Sequence, residues 1–78
     1  MSLHAALSYL EQGAWEDAHS IAQAEDSRLG AWLHAIVHVQ EGDLDNTRYW
    51  YQQAHRPFSK DIPGELRALR EALPPPEP

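Results

Sequence analysis

The sequence predicts an all-α domain of five helices, arranged as two antiparallel helical hairpins followed by a C-terminal capping helix. Three observations support this class. Apolar residues recur at helical spacing along most of the 78 residues. Gly13 and Gly42 interrupt that pattern where turns are expected. No segment alternates between apolar and polar residues for long enough to indicate a β-strand.

The first hairpin is predicted from the apolar residues on the two sides of Gly13. Four apolar residues before it share one helical face and predict a helix over about residues 2–12: Leu3, Ala6, Leu7 and Leu10. A second helix begins near Trp15 and continues to the polar residues at Glu25. Because the connection between them is so short, the two helices are expected to pack antiparallel.

The second hairpin is bounded by capping signals. Ser27 suits the N-cap of a third helix, and Gly42 suits its C-cap because glycine adopts left-handed backbone geometry without steric cost. Asp43 or Asp45 then begins a fourth helix, which is expected to reach His55 because a following proline disfavours helical geometry.

A fifth helix and a proline-rich tail complete the chain. Pro63 suits the first turn of the helix, where three leucines form a narrow apolar stripe: Leu66, Leu69 and Leu73. This helix is expected to cap the exposed end of the helical stack, and a partner-binding role is the alternative. Residues 1–73 are therefore expected to form one helical domain, and residues 74–78 an extended, disordered tail.

The two predicted hairpins resemble each other when the chain is shifted by 29 residues. This offset places Gly13 on Gly42 and aligns the apolar positions of residues 3–22 with those of residues 32–51. The segments beginning at Gly13 and at Gly42 are similar to the tetratricopeptide repeat, in which a glycine separates paired helices and is followed by an acidic or small residue and an aromatic residue. The resemblance implies a scaffold of stacked helical hairpins that binds peptide-like partners.

A second resemblance covers most of residues 3–58. It is carried by these residues: Trp15, Ala18, His19, Leu33, His34, Ala35, Glu41, Gly42, Asp43, Asn46, Tyr49, Trp50 and Tyr51. The pattern resembles short, uncharacterised bacterial proteins. It implies an independent domain family and no particular chemistry.

Charge and cysteine content exclude several classes of function. The formal net charge is −6, and residues 1–47 contain eight acidic residues against one basic residue. Nucleic acid and anionic membrane surfaces are therefore not expected partners. The chain has no cysteine, which removes disulfides, thiolate metal sites and cysteine nucleophiles and fits a cytoplasmic location. No arrangement of serine or carboxylate residues indicates a catalytic site, so no catalytic residue is assigned.

Histidine supplies the strongest candidate for a site. His34 and His38 lie four residues apart on the third helix and Glu41 follows three later, so the three side chains share an arc of about 60°. His19 on the second helix is a candidate third imidazole. The preferred interpretation is structural, with buried histidines hydrogen-bonded between helices. The alternatives are a ligand pocket that uses the imidazoles without metal, and a zinc site or hydrolase.

A second candidate site is an interaction face on the fourth helix, formed by Tyr49, Trp50, Gln53 and Arg56. Exposed aromatic residues beside arginine are typical of protein interfaces. The alternative is that Tyr49 and Trp50 pack beneath the linker at Phe58 or beneath the fifth helix.

The sequence therefore predicts a non-enzymatic module that binds a protein, a peptide or a small ligand. No cofactor is expected, and the protein is expected to be either a monomer or a homodimer. The competing hypothesis is the histidine-centred metal site.

Overall fold

The structure, a computed structural model, describes residues 2–75, and this part of the chain contains five α-helices and no β-strand. The helices are α1 (Leu3–Glu11), α2 (Trp15–Ala22), α3 (Arg28–Glu41), α4 (Leu44–Gln53) and α5 (Ile62–Ala72). The predicted all-α fold with five helices is confirmed. Helix α1 packs against α2, and α3 packs against α4, as expected for two hairpins, while α2 and α3 also contact each other.

Local capping explains where most of the helices begin. Four helices follow a residue whose side-chain oxygen accepts a hydrogen bond from the backbone N–H three residues later: Ser2, Ser27, Asp43 and Asp61. These bonds satisfy donors that have no partner inside the helix. Gly42 ends α3 with a left-handed φ of 92°, which glycine adopts without the clash that a Cβ atom would cause.

Helix α4 is shorter than its sequence pattern predicts. It ends at Gln53, whereas the pattern extends it to His55. His55 adopts a left-handed φ of 58°, and the N–H of Arg56 donates to the carbonyl of Tyr51 at 3.1 Å. The chain therefore leaves helical geometry two residues before the predicted end, at the left-handed turn that precedes Arg56 and Pro57.

Helix α3 is the central element of the fold. Every residue from Gly30 to His38 is buried, and the helix contacts all four of the others. A helix surrounded in this way must be apolar around most of its circumference. The two histidines in this stretch therefore lie inside the protein, and any polar partner for them must come from a neighbouring helix or from the end of α3.

Helix α5 packs on α1 and α3, so it contacts one helix of each hairpin. Leu69 and Leu73 are buried in the core. Glu65 connects α5 to the rest of the domain, because its Oε1 accepts hydrogen bonds from the Tyr51 hydroxyl at 2.7 Å and from the Trp32 indole N–H at 3.1 Å. Helix α5 is thus held by apolar contacts, by the shared carboxylate of Glu65 and by an ion pair in which Arg70 Nε donates to Glu11 Oε2 of α1 at 3.0 Å.

The chain after α5 is only partly covered by the described residues. Pro74 and Pro75 lie outside the helix and are exposed, and the carbonyl of Pro74 accepts a hydrogen bond from His4 Nε2 at 2.6 Å. The remainder of the predicted tail, residues 76–78, lies outside the described part of the chain. Within residues 2–75, no helix has both the length and the apolar content needed to cross a bilayer.

Candidate functional site

Three histidines from two helices meet between α2 and α3. His19 lies on α2, and His34 and His38 lie one turn apart on α3. The ring centroid of His19 lies 4.8 Å from that of His34 and 5.2 Å from that of His38. The ring centroids of His34 and His38 lie 5.0 Å apart. One ligand nitrogen from each ring lies within 4.8 Å of the others. We call these three residues the imidazole cluster.

The fold brings this cluster together through the packing of α2 on α3. Histidines four residues apart project from one face of a helix, so His34 and His38 are neighbours by helix geometry alone. On α2, the small residues Ala18 and Ala22 are buried, and small side chains allow two helices to approach closely. His19 lies between them in sequence and at the edge of this contact, where its ring reaches those of α3.

Two members of the cluster are oriented by side chains one turn further along their own helices. The Nδ1 atom of His38 lies 2.7 Å from Glu41 Oε1, and Nδ1 of His19 lies 2.7 Å from the side-chain amide of Gln23. A carboxylate bonded to Nδ1 fixes the proton on that nitrogen and leaves the Nε2 lone pair for a metal ion. At His19 the amide nitrogen of Gln23 donates to Nδ1, which orients the ring; ligation of a metal ion through Nε2 requires the amide to turn so that its oxygen accepts from Nδ1–H.

His34 differs from its neighbours because neither of its ring nitrogens takes part in a hydrogen bond among residues 2–75. The side chain is nevertheless buried, with 5% of its surface exposed. One face of the ring is stacked on the indole of Trp50, at 3.9 Å between centroids and 10° between planes. Within the described residues, the fully buried side-chain atoms without a partner are Gln40 Oε1 and Arg56 Nε, so the unbonded nitrogens of His34 keep some access to solvent.

Burial sets the protonation state of the cluster. Burial, followed by the proximity of His19 and then of His38, lowers the pKa of His34 to about 4. Burial and the nearby His38 also lower the pKa of His19, and the carboxylate of Glu41 opposes this effect. His34 is therefore neutral at physiological pH. A neutral imidazole has a lone pair available for a metal ion, so a metal does not have to displace a proton from it.

The geometry and the donor type both fit a transition-metal ion. Zinc binds imidazole nitrogen at about 2.0–2.1 Å, which places tetrahedral nitrogen ligands about 3.3 Å apart. The nitrogens of the cluster lie within 4.8 Å of one another, so each pair must approach by at most about 1.5 Å, a distance within the reach of side-chain rotation. Imidazole ligands suit zinc, copper, nickel and iron, whereas magnesium and calcium prefer oxygen.

A second group of potential ligands, formed by His38, Glu41 and Asp43, overlaps the cluster but is less suitable. Both carboxylate oxygens of Asp43 bind Asn46, one to its backbone N–H at 3.2 Å and one to its side-chain amide at 2.7 Å. These hydrogen bonds hold the pKa of Asp43 below its ordinary value. Asp43 therefore serves as the N-cap of α4, and Glu41 serves to orient His38.

The four residues of the predicted interaction face have different environments. Tyr49 is 51% exposed and Gln53 is exposed. Trp50 is half-buried because its indole covers His34. The Arg56 guanidinium lies 3.5 Å above the ring of Trp32 on α3. Two of the four side chains are thus available to a partner, and two are engaged inside the domain.

Sequence reasoning did not identify two residues that support these sites. Gln23 contacts His19, and its position four residues later on the same helix is a local signal that could have found it. Glu65 joins Trp32 and Tyr51, but these residues are separated along the chain and no periodic pattern connects them. The sequence predicts Trp50 either in the interaction face or beneath the Phe58 linker or the fifth helix, and the structure stacks its ring on His34 of the imidazole cluster.

Comparison of the chain with protein-family models, with curated proteins and with solved structures finds no match. The tetratricopeptide-like assignment therefore stays a prediction. The function has to be argued from the residues of the site.

Proposed function

We propose that this chain is a small non-enzymatic binding module whose ligand is one first-row transition-metal ion, with zinc as the first candidate. The ligands are His19, His34 and His38, and Glu41 and Gln23 orient two of them. The observation that carries the proposal is the convergence of three imidazole nitrogens, within 4.8 Å of one another, from two different helices. This is the histidine-centred metal site that the sequence offers as the competing hypothesis, here without a hydrolase activity.

The competing structural interpretation treats the histidines as core residues that satisfy one another. His38 fits that interpretation, because Glu41 Oε1 accepts a hydrogen bond from its Nδ1–H. That interpretation gives His34 no protein partner, because neither of its ring nitrogens is bonded within the described residues and both keep some access to solvent. A metal ion at the centre of the cluster would give His34 a partner.

Metal binding would also stabilise the domain, because the ligands come from two helices. The ion would link α2, which is short and contributes few buried side chains, to the central α3. A ligand that binds only the folded state at 100 times its Kd raises the free energy of unfolding by about 2.7 kcal/mol. For a domain of this size the melting temperature would rise by about 10–20 °C.

The test uses the full chain purified without a histidine tag and freed of metal by dialysis against chelator. Zinc is added during calorimetric titration, and the melting temperature is measured with and without zinc. We expect one zinc ion per chain and an increase in melting temperature. Both effects should be lost in His19→Gln and in His38→Gln.

His55→Asn is the matched control, because it removes an exposed histidine and asparagine tolerates the left-handed φ at that position. The control should bind zinc like the natural chain. Circular dichroism establishes that each variant is folded. The proposal fails if the natural chain binds no zinc stoichiometrically, or if folded His19→Gln and His38→Gln bind it as well as the control does.

Binding of a protein or peptide by α4 is the second candidate function. It is favoured by the 51% exposure of Tyr49, and by a pocket of about 440 Å³ beside it to which Trp50 and Gln53 contribute. A partner recovered from native extract should be released by Tyr49→Ala. The matched control is Tyr9→Ala, on α1. Equal recovery by both folded variants would exclude this surface as the binding site.

The broader setting is also proposed rather than established. The offset of 29 residues between Gly13 and Gly42 supports a tetratricopeptide-like arrangement of antiparallel hairpins. The cysteine-free composition supports a cytoplasmic location. A two-hairpin domain is short for such a scaffold, which favours a homodimer, and sedimentation analysis would measure its oligomeric state directly.

A further inference from the structure

The number of protein ligands in the imidazole cluster determines what a bound metal ion can do. Zinc and cobalt take at least four ligands in proteins, and structural zinc sites draw all four from side chains. Within residues 2–75, only three side chains contribute to the cluster of nitrogens. A fourth position on the metal therefore has no ligand from this part of the chain.

The nearby carboxylates are engaged elsewhere. Glu41 is grouped with His38 and Asp43, and it is not among the residues whose ligand atoms meet at the imidazole cluster. Its Oε1 is bonded to His38 Nδ1 at 2.7 Å. Asp43 binds Asn46 with both oxygens. Each carboxylate is therefore held by a contact outside the cluster of nitrogens, which orients His38 or begins α4.

The surroundings of the cluster indicate the direction from which a ligand can arrive. His34 and His38 lie on the buried helix α3, with 5% and 7% of their surfaces exposed. Trp50 covers one face of His34. His19 is only partly buried, and its partner Gln23 is exposed. Access to the cluster is therefore from the side of α2, past His19 and Gln23.

We propose that the metal ion held by this cluster keeps one exchangeable coordination position on the His19 side, and that this position takes a small anionic ligand. This inference rests on the proposed metal-binding function. Three neutral imidazoles leave the full double positive charge on the ion, so hydroxide, azide or a carboxylate group is favoured over a neutral ligand. A position of this kind is what distinguishes an open site from a closed structural one.

Cobalt(II) is the probe for the test, because its visible absorption reports directly on its ligands. The full natural chain is loaded with cobalt(II) and titrated with azide and, separately, with acetate. We expect a saturable shift of the visible band with azide and a weaker one with acetate. His55→Asn, loaded in the same way, should respond like the natural chain.

A cobalt band that is unchanged by both anions would overturn the inference while leaving metal binding intact. The same conclusion would follow if Glu41→Gln responded to azide and the natural chain did not, because Glu41 would then be the fourth ligand. Equal responses of Glu41→Gln and the natural chain would support the open position. If no cobalt band forms in the natural chain, the metal-binding function itself fails, and the inference fails with it.

Discussion

Acidification of the metal-free protein is expected to destabilise the fold through His34. Burial and the two neighbouring histidines lower its pKa to about 4 in the folded state, whereas an unfolded histidine titrates near 6.5. As the pH falls, the unfolded chain therefore binds a proton before the folded chain does. The contribution of His34 to stability is complete above pH of about 6.5 and is lost as the pH falls towards about 4.

The size of this effect follows from the two pKa values. One unit of pKa difference corresponds to about 1.4 kcal/mol, so the full difference is worth about 3 kcal/mol. Between pH values of about 7 and about 4.5, the free energy of unfolding should fall by about 2 kcal/mol through this residue. A small domain has only about 5–15 kcal/mol in total, so the loss is readily measured.

Urea unfolding followed by tryptophan fluorescence measures this loss, with chelator present so that no metal is bound. His34→Phe is the informative variant, because phenylalanine keeps a ring against Trp50 and cannot take a proton. Carboxylates also titrate in this range, so the useful quantity is the difference between the losses of the natural chain and the variant. His55→Asn, which removes an exposed imidazole, should lose as much stability as the natural chain.

Equal losses in the natural chain and in folded His34→Phe would refute this reasoning. They would mean that His34 is solvated enough to titrate similarly in the folded and unfolded states. A remaining slope in the variant, smaller than in the natural chain, is expected, because the pKa of His19 is lowered by burial as well.

Three further predictions concern stability. Glu65→Gln should lower the free energy of unfolding, measured with urea, by about 1–3 kcal/mol, because the buried donors of Trp32 and Tyr51 lose a charged acceptor. Glu71→Gln is the control, because Glu71 is an exposed residue of the same helix, and its free energy of unfolding should change little. Asp43→Ala should cost about 1 kcal/mol in the same assay through loss of the α4 N-cap, and an unchanged midpoint would contradict the capping role. Gly42→Ala should lower the melting temperature and reduce the free energy of unfolding by about 1 kcal/mol. Gly42→Asn should lower the melting temperature less, since asparagine tolerates the left-handed φ at this position.

Most of the helical structure could be predicted because its causes are local. Ser27 and Gly42 bound α3 as expected, since a cap and a left-handed C-cap residue act within a few residues of the helix ends. The proximity of His34, His38 and Glu41 likewise follows from helix geometry. The end of α4 was misplaced by two residues, because the left-handed conformation of His55 leaves no periodic signal in the sequence.

The spacing of residues predicts which face of a helix a side chain occupies, but it does not predict which residues of other helices that side chain contacts. Trp50 was expected at a partner-binding surface, and its ring lies against His34 because of how α4 packs on α3. Arg56 was expected beside it, and its guanidinium lies over Trp32. The placement of Trp50 depends on the rotation of α4 relative to α3, which the spacing of apolar residues does not fix closely. Arg56 lies beyond the end of α4, and its position depends on the left-handed turn at His55.

The sequence by itself determined the helices, their caps and the pairing of two histidines on α3, because hydrogen bonds and side-chain spacing within a few residues decide them. Tertiary structure alone decided that His19 reaches that pair and that Glu65 joins Trp32 to Tyr51. It also left His34 buried with neither ring nitrogen bonded in the described chain. These features depend on the register between helices distant along the chain, which many weak packing contacts set together.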